Sequence, residues 1–164
     1  MLEVVHAKIF TRESILKQVY VWRMQNHKIL FTNGCFDLLH LGHVEYLSRA
    51  KDLGGKLIVG LNSDRSIKKI KGPGRPIMDE KSRAMVLASL LFVDALVFFD
   101  EETPYMLIRQ LEPDILVKGK DYSPEEIVGH DIVKASGGRI VTIELTPGYS
   151  TTGIEKKILS SHKS

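Results

Sequence analysis

Five short runs of almost wholly apolar residues punctuate the chain: KILFT at 28–32, KLIVGLN at 56–62, ALVFF at 95–99, DILV at 114–117 and RIVTI at 139–143. Between them lie segments whose apolar residues recur at helical spacing. A strand that is apolar throughout is buried on both faces, and such strands belong to parallel sheets covered by helices. The pattern therefore predicts an α/β fold. Helices are expected at 12–26, 42–53, 79–91, 104–111, 130–136 and 150–159, with a short one after Asp64. Thr11 is placed to cap the first helix, and Ile15, Val19 and Trp22 form its apolar stripe. Gly54-Gly55 stops the second. KGPGRP at 71–76 holds two glycines and two prolines in six residues, which forbids a regular element there.

The length of 164 residues suits one domain at 28–164, with residues 1–27 as a helical extension packed on it. With 43% hydrophobic and 26% charged residues, the composition excludes a disordered chain, a collagen-like repeat and a disulfide scaffold. Cys35 is the single cysteine, and the N-terminus lacks the pattern of a secretory signal, so a cytoplasmic protein is expected. No apolar stretch approaches the roughly 20 residues that span a bilayer, and no membrane partner is expected. The net charge of +3 is too small to imply nucleic-acid binding. Its distribution says more. Residues 65–83 hold seven basic and two acidic side chains, a surplus of five positive charges. That segment lacks the interleaved aromatics of a single-strand groove. It points to phosphate, with Lys68, Lys69 and Lys81 equally readable as a solvated face.

Ligands of such sheets sit beyond the carboxyl ends of the strands. The segment after the first strand reads Asn33-Gly34-Cys35-Phe36-Asp37-Leu38-Leu39-His40-Leu41-Gly42-His43. Gly34 lets the backbone leave the strand and approach a ligand closely. A helix opening near Gly42 would put both imidazoles at its positive end, where unpaired amides attract phosphate. Two histidines three apart can also bind a metal, but no third ligand is suggested nearby. Asp37 reads either as a site carboxylate or as a turn cap, and Cys35 as a small packing residue.

NGCFDLLHLGH resembles the HxGH nucleotidylyltransferase superfamily, which includes the cytidylyltransferases. TNGCFDLLHLGHVEYL, LNSD, KGPGRP, LVKGKDY and STTGI, in that order, are most similar to the heptose 1-phosphate adenylyltransferase group. The likeness runs from about residue 11 to 158, without that group's kinase half, and so suggests a stand-alone adenylyltransferase. It implies a Rossmann-like three-layer sandwich whose five-stranded parallel sheet has the order 3-2-1-4-5. The implied reaction joins ATP to a sugar 1-phosphate, giving an ADP-sugar and pyrophosphate, with Mg²⁺ carried mainly by the phosphates. The attacking phosphate oxygen is already anionic, so no nucleophilic triad is required.

The resemblance implies catalytic roles for His40, His43 and Lys71. It implies nucleotide and phosphate contacts from Asn33, Gly34, Cys35, Phe36, Gly42, Arg83, Ser150, Thr151 and Thr152. Asp37, Asn62, Asp64, Lys118 and Asp121 are expected on the acceptor side. Serine and threonine opening the last helix are equally readable as N-caps. The cytidylyltransferases carry an arginine ahead of the Gly-x-Ser-Thr-Thr segment; Leu145 stands there, with Lys118 as the expected replacement charge. That difference favours the heptose group over a glycerol-phosphate cytidylyltransferase. A non-catalytic nucleotide-binding module is the reading from another class. A dimer and a separate kinase in the same pathway are the expected partners.

Overall fold

The structure, a computed structural model, describes residues 1–120 and 124–161. The chain runs through α1 (Leu2–His6), β1 (Ile9–Phe10), α2 (Arg12–Met24), β2 (Ile29–Gly34), α3 (Leu41–Lys51), β3 (Lys56–Asn62), α4 (Asp64–Lys71) and α5 (Glu80–Ser89). It continues through β4 (Ala95–Phe99), α6 (Tyr105–Leu111), β5 (Ile115–Gly119), a 3₁₀ turn (Pro124–Glu126), α7 (His130–Ala135), β6 (Arg139–Ile143) and α8 (Thr151–Ser161).

The strands form one parallel sheet in the order β1-β4-β3-β2-β5-β6. The five apolar runs take the anticipated relative order. The sheet nevertheless has six strands, not five. Ile9 and Phe10 add an edge strand against Leu96 and Val97, secured by the Leu96 N–H donating to the Lys8 carbonyl at 2.8 Å. Two residues are too few to show a period, and neither β1 nor α1 was anticipated.

Alternation along each strand divides the core. Ile29, Phe31, Ile58, Val97 and Leu116 face α2, α6 and α7. Leu30, Leu57, Val59, Leu61, Leu96 and Val117 face α3 and α5. Thr11 caps α2 in a capping box with Ser14, and Ile15, Val19 and Trp22 are buried in the first of these clusters. The chain reverses its direction of travel across the sheet between β2 and β5, and a crevice opens there, as at other switch points.

Two strands end later than expected. Asn33 and Gly34 stay paired, opposite Gly60 and Leu61, and Lys118 and Gly119 stay paired with Thr142 and Ile143. The side chains that end these strands are thereby fixed by the ladder rather than carried on a loop.

Candidate active site

A cleft of about 630 Å³ lies over the carboxyl ends of β2, β3 and β5. Its floor is the turn leaving β2. Phe36 adopts a left-handed backbone conformation (φ 45°), and its ring folds back so closely that a Cβ at Gly34 would sit 2.9 Å from it. Asp37, 2% exposed, accepts hydrogen bonds from the Ile77 and Met78 amides and from Arg75. Burial raises its pKa, but those donors prevail and hold the carboxyl below its ordinary range. Asp37 thus fastens the 72–79 loop to the floor.

His40 is the N-cap of α3, and its side chain makes no capping bond. Its ring stacks on that of His43 at 3.7 Å, with 23° between the planes, and Phe36 meets His43 edge-on at 5.1 Å. Gly42 permits this: a Cβ there would lie 3.2 Å from the His40 ring and 3.4 Å from Tyr149 Cβ. Nδ1 of each histidine is buried and has no hydrogen-bond partner. Desolvation pushes His43 down to about 4, helped by the neighbouring His40, and desolvation also lowers His40. Both rings are therefore neutral at pH 7. They stand at the N-terminus of α3, the positive end of the helix dipole.

Lys118 faces them from β5, donating to Asn33 Oδ1, and burial lowers its pKa to about 8. Lys71 lines the cleft from the end of α4. Across the opening, α8 begins. Ser150 Oγ accepts from the Gly153 amide at 3.0 Å as a helix cap, and Thr151 and Thr152 line the wall. Thr146 is hydrogen-bonded to Glu45, and Arg75 bridges Asp37 to Glu155 of α8. Leu145 packs beside Gly119, next to Lys118.

The cleft brings together Asn33, Gly34, Cys35, Phe36, Asp37, His40, Gly42, His43, Asn62, Lys71, Lys118, Ser150, Thr151 and Thr152. It does not include Arg83 or Asp64. The Arg83 side chain is 0% exposed and donates to the carbonyls of Cys35, Asn62 and Met78 and to Asp64 Oδ1, at 2.7–3.1 Å. The expected phosphate contact is therefore a brace that ties the ends of β2 and β3 to α5. Asp64 is its counter-ion. Asp121 lies outside the described residues.

Cys35 is held as a thiol, because burial raises its pKa against the pull of Lys71 and Arg83. Asn62 spends its amide on Ser66 Oγ at 3.0 Å. Tyr46, Glu102, Thr146 and Tyr149 also line the cleft and were not singled out. Tyr46 follows His43 at i+3, a spacing that could have revealed it. Glu102, Thr146 and Tyr149 stand just beyond strand ends, where ligands of such sheets collect. Among the described residues, no group of three His, Cys, Asp or Glu side chains is placed to hold a metal ion. No helix among them is long and apolar enough to cross a membrane.

The cytidylyltransferase-like family model matches residues 31–157. The bifunctional protein HldE of Syntrophotalea carbinolica is 52% identical over 157 residues, covering 96% of this chain and 32% of that protein. HldE of Wolinella succinogenes is 53% identical over 154 residues, 94% of this chain and 32% of that protein. This chain thus spans about a third of the length of these relatives. The crystal structure of the lipopolysaccharide core biosynthesis protein from Thermoplasma volcanium GSS1 superposes with a TM-score of 0.58 at 28% identity, covering 73% of this chain and 97% of that one. With donors gathered at a helix N-terminus after the first long strand, and a family match across most of its length, the chain belongs to the cytidylyltransferase-like family and is a nucleotidyltransferase.

Proposed function

We propose that this chain transfers AMP from ATP to heptose 1-phosphate, giving ADP-heptose and pyrophosphate for lipopolysaccharide core or related glycan synthesis. The single observation that carries this reading is the stacked His40–His43 pair lining the cleft at the α3 N-terminus. The positive end of a helix attracts phosphate, and an attacking phosphate oxygen is already anionic, so the reaction asks for no nucleophilic triad.

In the reaction, an oxygen of the sugar phosphate attacks the α-phosphorus in line as the bond to pyrophosphate breaks. The protein contributes positioning and charge stabilisation. His40, His43 and the first amides of α3 donate to the α- and β-phosphates. Lys71 neutralises the departing pyrophosphate from one side, and Thr151 and Thr152 hold it from the other. Lys118 takes the acceptor's phosphate. Mg²⁺ is a hard cation that keeps most of its waters. The few free carboxylates here suit a metal that arrives on the triphosphate and neutralises its charge.

The test is a pyrophosphate-release panel. ATP with heptose 1-phosphate is expected to give the highest kcat/KM. Faster turnover of CTP with glycerol 3-phosphate would overturn the reading. Tight ATP binding with no turnover on any acceptor would make the protein a nucleotide-binding module.

A further inference from the structure

A second cavity, of about 160 Å³, adjoins the cleft. Its walls are Thr103 and Pro104 ahead of α6, Glu126 at the end of the 3₁₀ turn, and Ile127 and Val128 beyond it. Glu102 and Lys118 line both cavities and so stand where the two meet.

The acidic residues of this loop differ in what they are free to do. Asp100 is bonded to Ser63 and Arg65, and Glu101 to Arg12 and the Asp100 amide. The Glu102 carboxylate has no hydrogen bond or ion pair with any described residue. A free carboxylate at the mouth of a triphosphate site repels phosphate, so the chamber behind it is unsuited to a nucleotide's charged end. It suits hydroxyls instead. Two carboxylate oxygens accept from two adjacent hydroxyl groups at once. The apolar faces of Pro104, Ile127 and Val128 suit the C–H surface between them. Lys118, at the same junction, marks where the acceptor's phosphate would end and its carbon skeleton begin.

We propose that Glu102 determines acceptor specificity, accepting hydrogen bonds in the side chamber from the terminal C6–C7 diol that a heptose carries and a hexose lacks. This rests on the adenylyltransferase reading, since it assigns Lys118 to the acceptor's phosphate. A site built to bond hydroxyls discriminates strongly against an analogue without them, because its polar groups are then left unpaired.

The experiment compares heptose 1-phosphate with mannose 1-phosphate in the wild-type chain, Glu102→Ala and Glu102→Gln. It has two readouts: steady-state kinetics with ATP, and calorimetric binding of each sugar phosphate beside a non-hydrolysable ATP analogue. Glu102 is exposed, so neither substitution opens the core. In Glu102→Ala, the wild-type preference for heptose is expected to fall by about 10- to 100-fold, through KM for the sugar, with KM for ATP within about twofold. Glu102→Gln, which keeps one acceptor oxygen, is expected to lie between. An unchanged preference, equal losses for both sugars, or a rise confined to the KM for ATP would overturn the proposal. Heptose binding that depends on Glu102 without turnover would sustain the chamber and refute the adenylyltransferase reading. Turnover indifferent to Glu102 would do the reverse. No heptose binding in the wild type would overturn both.

Discussion

At the scale of single residues, the site depends on groups held in a protonation state that water alone would not choose. Desolvation lowers the pKa of both His40 and His43, so each ring carries a single N–H and no charge at pH 7. On the proposed mechanism, replacing either with alanine removes a contact to the charge that develops on the phosphates. Such a loss costs about 2–4 kcal/mol of barrier, roughly 30- to 1,000-fold in kcat, with the circular dichroism spectrum preserved. Steady-state kinetics on the two variants checks this. Lys118 makes the opposite case. Its pKa is lowered to about 8 in the free enzyme, so its ammonium charge is lost as pH rises through 8. The ratio kcat/KM reports free-enzyme groups. For the sugar phosphate it is expected to fall above pH 8, while kcat, read on the occupied site, stays flatter. Lys118→Arg, charged throughout, should abolish the fall. A profile level to pH 9.5 in the wild type would remove Lys118 from the acceptor's phosphate. The two histidines were legible because they sit three apart beside a glycine. Arg83 was not, because a sequence shows a charge but not the carbonyls that will surround it.

At the scale of elements, α8, like the short α1, buries none of its residues. What fixes its first turn over the cleft is a set of polar ties. Arg75 reaches from the 72–79 loop to Asp37 and Glu155, and Glu45 holds Thr146 just ahead of the helix. Both carboxylates of the Arg75 bridge are largely shielded from water, so the pair is stronger than a surface contact. Glu155→Gln is expected to lower kcat/KM for ATP about tenfold, near 1.4 kcal/mol, by loosening Thr151 and Thr152, with little change in melting temperature. Arg75→Lys cannot bridge both partners and should show a similar loss. A melting temperature that falls in step with activity would make the tie structural only. The KGPGRP segment was legible as a loop from its glycines and prolines, but not as an anchored one, since the anchor is one arginine whose partners lie 38 and 80 residues away. Burial on both faces made β2, β3 and β4 legible as uniformly apolar runs, whereas β6, read the same way, is an edge strand with only Ile143 buried. The strand ends were not legible. Asn33-Gly34 carries a turn signal that the ladder to Gly60 and Leu61 overrides. β1 is too short to carry any signal.

At the scale of the whole molecule, the three arginines of the basic segment 65–83 are committed to ion pairs within the protein. Arg65 is paired with Asp100, Arg75 with Asp37 and Glu155, and Arg83 with Asp64. Of the seven basic side chains, Lys71 alone lines the cleft, so the charge offered to phosphate there is far smaller than the segment's count suggests. The N-terminal 27 residues show the same difference between count and placement. Composition makes them an extension laid on a finished domain. In the structure, Ile15, Val19 and Trp22 lie in the same cluster as Ile29, Phe31 and Val97 of the central strands. Phe10 meets the Trp22 ring edge-on at 6.5 Å, and Lys56 Nζ stands 5.7 Å above it. Removing the segment would strip α2 from one face of the sheet and β1 from its edge, exposing β4 and opening Phe31 and Ile58 to water. Residues 28–164 alone are therefore expected to aggregate or remain unfolded. Trp22→Ala in the full chain, a large-to-small change in a filled core, should cost about 3 kcal/mol of stability, measured by urea unfolding. The cleft lies at the far ends of the strands, so kcat at a temperature where this variant is folded should remain near that of the wild type. A soluble 28–164 fragment with native melting temperature and activity would show that the domain closes its core without α2.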